Sequence, residues 1–233
     1  MTEVDGGGRL AGTLEVPLFP LPSITLFPRV KLPFYIFEPR YRAMLAHVLD
    51  HDGLVGVPLL RPGGETAPNG APAFAEVFGI GRVTDYETHD DGTSHIEVLG
   101  VARAALSEEI PSTPFRRARA RILADVPAAP EDARSVRTDL AAGVARLEGL
   151  GMSPEARDAL QTLFTQAGDD LEFLVNVMAT VTVGQAAVRQ HLLEEDRVFE
   201  RARALATLLE TLRQELDAPG RPRPAPPSGP ADP

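Results

Sequence analysis

The sequence predicts an α+β fold, β-rich and barrel-like in its first half and wholly helical in its second. Three observations carry this. Short apolar or β-branched runs near the start are separated by Pro20, Pro22, Pro28 and Pro33. Proline cannot donate to a sheet ladder, so this spacing suits strand ends, edges and sharp corners. Beyond about residue 125 the apolar period changes from that of strands to that of helices. Between a Gly-rich leader (1–12) and a Pro-rich tail (218–233) lie 205 residues, enough to bury a core without staples.

The expected strands are Leu14–Phe19, Ile24–Phe27, Leu32–Phe37, Leu54–Leu60, Ala75–Tyr86, His95–Gly100, Val101–Glu108 and Phe115–Leu123. Asp91-Gly92 gives a two-residue hairpin signal, because both residue types tolerate positive φ. Arg61–Pro72 is rich in Gly and Pro and reads as a loop. One helix interrupts the strands. Glu38 precedes Pro39, a residue preorganised for the first helical position, and Tyr41, Met44, Leu45, Val48 and Leu49 follow as a single apolar stripe. Gly53 ends it.

The helical half, 125–217, follows a β-rich part assigned to 13–124. A first helix is expected near Glu131–Leu147. Ser153-Pro154 opens a second, with Ala156, Ala159, Leu160, Leu163, Phe164 and Ala167 at helical spacing. Asp169 or Asp170 caps a third, Leu171–Val183, whose length decides for helix against its Val and Thr content. Gln185–Leu216 reads as helix with a break near Asp196, striped by Leu205, Leu208, Leu209, Leu212 and Leu216. The tail holds seven prolines in 16 residues and is expected to be extended and disordered. Its Arg221-x-x-Pro224-x-x-Pro227 has the form of a polyproline recognition motif, which any Pro-rich end generates easily.

Composition excludes several chemistries. Of 233 residues 43% are hydrophobic and 24% charged, ordinary globular usage. There is no cysteine, which removes thiol nucleophiles, disulfides, iron–sulfur clusters and Cys-type zinc sites. The only lysine is Lys31, set between Val30 and Leu32, so no phosphate-binding P-loop can be written. A Ser–Lys dyad would have to use that same amine. The net charge of −10 disfavours a broad polyphosphate-binding surface. Met1–Gly8 shows neither a basic start nor an apolar run, so a cytoplasmic protein without membrane contact is expected.

The runs Val16-Pro17-Leu18-Phe19-Pro20-Leu21-Pro22, Leu26-Phe27-Pro28 and Leu32-Pro33-Phe34-Tyr35-Ile36-Phe37-Glu38-Pro39-Arg40-Tyr41-Arg42-Ala43-Met44 closely resemble the opening of the LON substrate-binding domain. That domain stands at the N-terminus of Lon proteases and also occurs free-standing in bacteria. Phe78-Gly79-Ile80-Gly81-Arg82-Val83 is similar to a glycine-bearing strand of the family, and Val98-Leu99-Gly100-Val101-Ala102-Arg103 to its V-x-G-x-x-R hairpin. Leu192-Leu193-Glu194 and Arg201 resemble its closing helices. The resemblance implies a PUA-like twisted β-barrel with one inserted helix, followed by a helical bundle. It also implies substrate recognition, the chemistry in Lon proteases belonging to a separate AAA+ motor and Ser–Lys peptidase.

Candidate sites compete with simpler explanations. His47 and His51 share a helix face at a spacing that can hold a metal, but Val48 stands where a zinc-protease glutamate would be. His89, Asp90, Asp91 and His95 surround a hairpin tip, where turn chemistry explains the acids. The acid pairs Glu108-Glu109, Asp169-Asp170 and Glu194-Glu195 fit solvated surface, and no catalytic set can be assembled. Arg117, Arg119 and Arg121 project from one strand face beside Arg116, spaced to follow a phosphate backbone. Pairing with cross-strand acids such as Glu97 or Glu108 is simpler. In Phe34, Tyr35, Phe37 and Tyr41, alternation puts Phe34 with Ile36 on one face and Tyr35 with Phe37 on the other.

The expectation is therefore a non-catalytic recognition module for polypeptide segments or a protein partner, monomeric or weakly dimeric. It needs no metal or cofactor. Its peptide contacts fall at Phe34, Tyr35, Arg40 and Tyr41, and the alternative is RNA or nucleotide binding through Arg117, Arg119 and Arg121.

Overall fold

The structure, a computed structural model, describes residues 2–4, 10–61, 63, 66, 70–148 and 152–217. Seven strands among them form one antiparallel sheet: β1 (Thr2–Val4), β2 (Leu10–Pro17), β3 (Lys31–Ile36), β4 (Leu54–Val57), β5 (Val77–Thr88), β6 (Ser94–Ile110) and β7 (Arg117–Leu123). Their hydrogen-bonded order is β1-β2-β7-β6-β5-β4, with β3 pairing β6. β1, from within the expected leader, pairs with Leu10–Gly12 of β2. The tail from 218 and most of the Arg61–Pro72 loop lie outside the described residues.

The α+β class and the inserted helix match the sequence reading, but the closed shell does not form. The sheet is twisted and open. The chain after β2 meets β4 and its continuation only at isolated parallel bridges, Leu18–Gly56 and Leu21–Leu59. Phe19 N–H reaches Gly56 O at 2.7 Å and Leu21 N–H reaches Pro58 O at 3.0 Å. Pro17, Pro20, Pro22 and Pro58 leave too few amide donors along this seam for a ladder.

A second correction concerns Ile24–Phe27, which is not a strand. It crosses the sheet as extended chain, with Leu26 and Phe27 fully buried. It passes so close that a Cβ on Gly79 would stand 2.0 Å from Leu26 O, and one on Gly100 2.0 Å from Phe27 O. Arg29 N–H then bonds Gly100 O at 2.7 Å. Gly79 and Gly100, one from each family-like motif, are thus places where backbone lies on backbone. Gly100 also does not divide the chain, because the expected pair His95–Gly100 and Val101–Glu108 is one strand. One edge of β6 serves β3 over 94–99 and β7 over 103–110.

Among the described residues six helices follow the predicted periods: α1 (Pro39–Leu49), α2 (Pro130–Glu148), α3 (Pro154–Ala167), α4 (Leu171–Thr182), α5 (Ala186–Glu194) and α6 (Val198–Asp217). Ser153 caps α3 by accepting from Ala156 N–H, and Asp170, not Asp169, caps α4 by accepting from Phe173 N–H. The break near Asp196 is held in place, since Val126 N–H donates to Asp196 O and Val198 N–H to Val126 O. Leu205 and Leu209 are core, whereas Leu212 and Leu216 at the end of the stripe are exposed.

The two halves meet at a buried ionic junction. Arg103 of β6 and Arg201 of α6 both bind Asp125, at 2.8 and 2.6 Å, with no side-chain exposure of either arginine. Arg103 also donates to Leu193 O, and Arg201 to Glu195 O and to Asn176 Oδ1. Asn176 passes the connection on through Nδ2 to Pro28 O. Burial lowers the Arg103 pKa; Asp125 opposes that and Arg201 adds to it.

Two stability outcomes follow, both read by denaturant unfolding. Asp125→Ala strands two buried guanidinium groups and is expected to cost about 3–5 kcal/mol, with Asp125→Asn milder. Gly79→Ala drives a methyl into the Leu26 carbonyl and is expected to cost about 3 kcal/mol. Gly184→Ala, whose Cβ would meet nothing within 4 Å, stays within about 0.5 kcal/mol of the parent.

Candidate functional site

β4 pairs β5 only as far as Arg82, so the ends of β5 and β6, with β3 beside them, extend beyond the rest of the sheet as a three-stranded wing. Its tip is the β5–β6 turn. Asp91-Gly92 lies there as expected, though the loop is longer than two residues. His89 N–H donates to Thr93 O across it, Gly92 carries the positive φ of 79°, and Asp91 Oδ1 accepts from Thr93.

Register sorts the side chains of the wing. Phe34 and Ile36 face inward, 9% and 1% exposed, and pack with Met44 and Val48 of α1. Tyr35 lies opposite His95, and His95 opposite Glu87. The next row is Pro33, Glu97 and Asp85. Tyr35 and Phe37 are 47% and 59% exposed, as the alternation of the sequence requires.

These outward rings form a continuous ribbon. Phe37 stacks on Tyr35 with centroids 5.9 Å apart, and Tyr35 lies 4.8 Å from His95. His95 meets His89 edge-on at 5.0 Å, with a 2.8 Å hydrogen bond between their ring nitrogens. Tyr86, 54% exposed, pairs with Ile96 and so belongs to the opposite face, that of Phe34. The depression beside the ribbon has a volume of about 440 Å³ and includes Tyr35, Asp85, Tyr86, Glu87, His95 and Glu97 in its lining. No arginine or lysine lines it.

The other sequence candidates are placed elsewhere. Phe34 and Tyr41 pack in the core against Phe19, at 5.5 and 4.7 Å between ring centroids. Burial raises the Tyr41 pKa. Arg40 is exposed, bonded to Glu38 and lying over the Tyr41 ring. Of the four residues expected to contact peptide, Tyr35 and Arg40 are therefore accessible, and Tyr35 alone joins the ribbon. Phe37 was legible from strand alternation. His89 and His95 become part of the surface only through the β5–β6 register, which the turn signal approximates.

The arginine row on β7 is largely engaged. Glu15 of β2 takes Arg117 and Arg119, at 3.4 and 2.8 Å, and Glu108 of β6 also takes Arg119. Glu97 pairs with Lys31 instead. Arg116 forks onto Glu109 and covers the Phe74 ring. Arg121 is exposed and has no ion pair among the described residues. Among those same residues no group of three or more His, Asp or Glu is arranged to hold a metal. His47 and His51 stack at 4.0 Å, with His51 Nδ1 bonded to His47 O. No helix of the described residues is long and apolar enough to cross a membrane.

An open antiparallel sheet with a projecting wing, backed by a helical bundle, defines a domain of α+β class. Comparison with known proteins agrees. The chain belongs to the ATP-dependent protease La (LON) substrate-binding domain family, which it matches over residues 15–211. It is similar to the Lon protease of Cytophaga hutchinsonii, at 23% identity over 207 residues, or 87% of this chain. It spans 25% of that relative's length. The N-terminal domain of Mycobacterium avium complex Lon protease superposes with a TM-score of 0.63 at 15% identity, covering 84% of this chain and 98% of that one. A Lon N-terminal domain protein from Xanthomonas campestris gives 0.56 at 18% identity, over 83% and 98%. The family domain is the non-catalytic, substrate-recognising part of Lon.

His47, on α1 beside Phe115 and away from the ribbon, offers a pH readout of stability. Burial, then the charges of His51 and Arg117, hold its pKa below the ordinary imidazole value. The unfolded chain therefore takes up a proton that the folded state resists. Stability from this group is complete above about pH 6.5 and is lost as pH falls through the folded pKa. Unfolding midpoints measured from pH 8 to 5 should fall more steeply for the parent than for His47→Gln.

Proposed function

We propose that this protein is a recognition module, without chemistry of its own, that binds polypeptide segments on the outer face of the β3–β6–β5 wing. The carrying observation is the contiguous exposed ribbon of Phe37, Tyr35, His95 and His89 on a rigid sheet. Exposed apolar area gathered into one patch marks interaction sites, and aromatic rings bring large contact area with few rotamers to fix. Membership in a family of substrate-binding domains supports the same reading. So does the projection of the wing, which gives an extended chain access to Tyr35. RNA binding through Arg117, Arg119 and Arg121 has less support, because Glu15 and Glu108 already neutralise the first two.

The test is fluorescence anisotropy with a labelled, permanently unfolded polypeptide (reduced and carboxymethylated) and with single-stranded RNA, each at two salt concentrations. Binding of the polypeptide with weak salt dependence is expected. Tyr35→Ala combined with Phe37→Ala should weaken it at least tenfold while leaving stability within about 0.5 kcal/mol, since both side chains are exposed. Unaltered affinity in that double variant removes the wing as the site. Retention of RNA alone, lost on raising salt and in Arg117→Glu plus Arg119→Glu, replaces this reading with the nucleic-acid one.

A further inference from the structure

The depression on the wing is lined by acids and by no arginine or lysine, and this narrows what the surface accepts. Its three carboxylates are Asp85, Glu87 and Glu97, set with Tyr35, Tyr86 and His95. Lys31 occupies Glu97 through a 2.8 Å ion pair, and its charge also reaches Asp85, which leaves Glu87 as the lining carboxylate without a cation among the described residues. Asp85 accepts from the Tyr86 amide, and neither Asp85 nor Glu87 forms an ion pair among the described residues. In cross-strand order the outer face runs Tyr35, His95, Glu87, so aromatic faces lead directly to an unneutralised carboxylate.

Neighbouring strands lie about 4.8 Å apart, which places that carboxylate about 10 Å from Tyr35 across the wing. A side chain that stacks on the rings and ends in a planar cation matches this sequence of surfaces. Arginine does so better than lysine, because its guanidinium stacks on aromatic faces and grips carboxylates with two parallel hydrogen bonds.

Resting on the polypeptide-binding reading above, we infer that the wing selects extended segments bearing arginine, whose guanidinium lies over Tyr35 and His95 and binds Glu87 and Asp85. The apolar part of the ribbon at Phe37 takes the hydrophobic neighbour of that arginine. The net charge of −10 favours approach of such a segment and disfavours an acidic one.

The test uses the full chain and three labelled synthetic peptides alternating threonine with leucine and a central arginine, citrulline or glutamate. Citrulline keeps the shape of arginine and removes its charge. The arginine peptide is expected to bind at least tenfold tighter than the citrulline peptide, with the glutamate peptide weakest. In Glu87→Gln combined with Asp85→Asn, conservative changes at exposed positions, that advantage should fall below threefold. Equal binding of the arginine and citrulline peptides, or an advantage that survives in the double variant, overturns arginine selection. If the unfolded polypeptide still binds in that case, recognition of polypeptide by the wing stands. If neither the peptides nor the unfolded polypeptide are retained, both conclusions fall together.

Discussion

One carboxylate holds the two halves of this molecule together. Asp125 leaves the end of β7 and meets Arg103 from the sheet and Arg201 from α6, both wholly buried. Two cations against one anion would be untenable in an apolar interior without further acceptors. The carbonyls of Leu193 and Glu195 and the Asn176 amide supply them, and each is presented by the end or the face of a helix. The junction thus fixes α4, α5 and α6 against β6 at once. It also explains why α5 and α6 cannot be a single helix. The carbonyl of Glu195 must be free of the helical ladder to accept from Arg201, and the short non-helical link after Glu194 frees it.

The second constraint is the close passage of backbone over backbone at Gly79 and Gly100. Strapping the Ile24–Pro28 segment across β5 and β6 buries Leu26 on one side and hands Phe27 and Val30 to the core of the bundle. The strap therefore couples the sheet's interior to the helices, with Asn176 bonding Pro28 O as its far anchor. With its inward side filled by Phe34, Ile36 and Ile96, the wing is rigid where it carries the ribbon. Preorganised surface of that kind loses little entropy on binding.

The basic and aromatic features of the sequence end in opposite roles. Of the arginines that looked available for phosphate, Arg116, Arg117 and Arg119 are spent on Glu15, Glu108 and Glu109, tying β2, β6 and β7 by cross-strand pairs, and Arg121 remains exposed. The aromatics divide by strand parity: Phe34 fills the core while Tyr35 and Phe37 face solvent one residue away. A one-residue difference on a strand turns a side chain to the other face, so the parity decides which rings can meet a partner.

Helix positions, caps and the core stripe of α1 were legible in the sequence because they depend on neighbours three or four residues apart. The same locality made Ser153 and the tip at Gly92 readable and narrowed the α4 cap to Asp169 or Asp170. Even the split between Phe34 and Tyr35 follows from alternation alone. What the chain could not declare locally were contacts across long separations: a strap that mimics a strand, a seam left open by prolines on both sides, and glycines whose partner backbone lies some 50 to 75 residues earlier. The ribbon belongs to this second group. Tyr35, His95 and Glu87 become neighbours only through the pairing of three strands, and the charge of the surface is settled by which acids Lys31 and the β7 arginines have already taken.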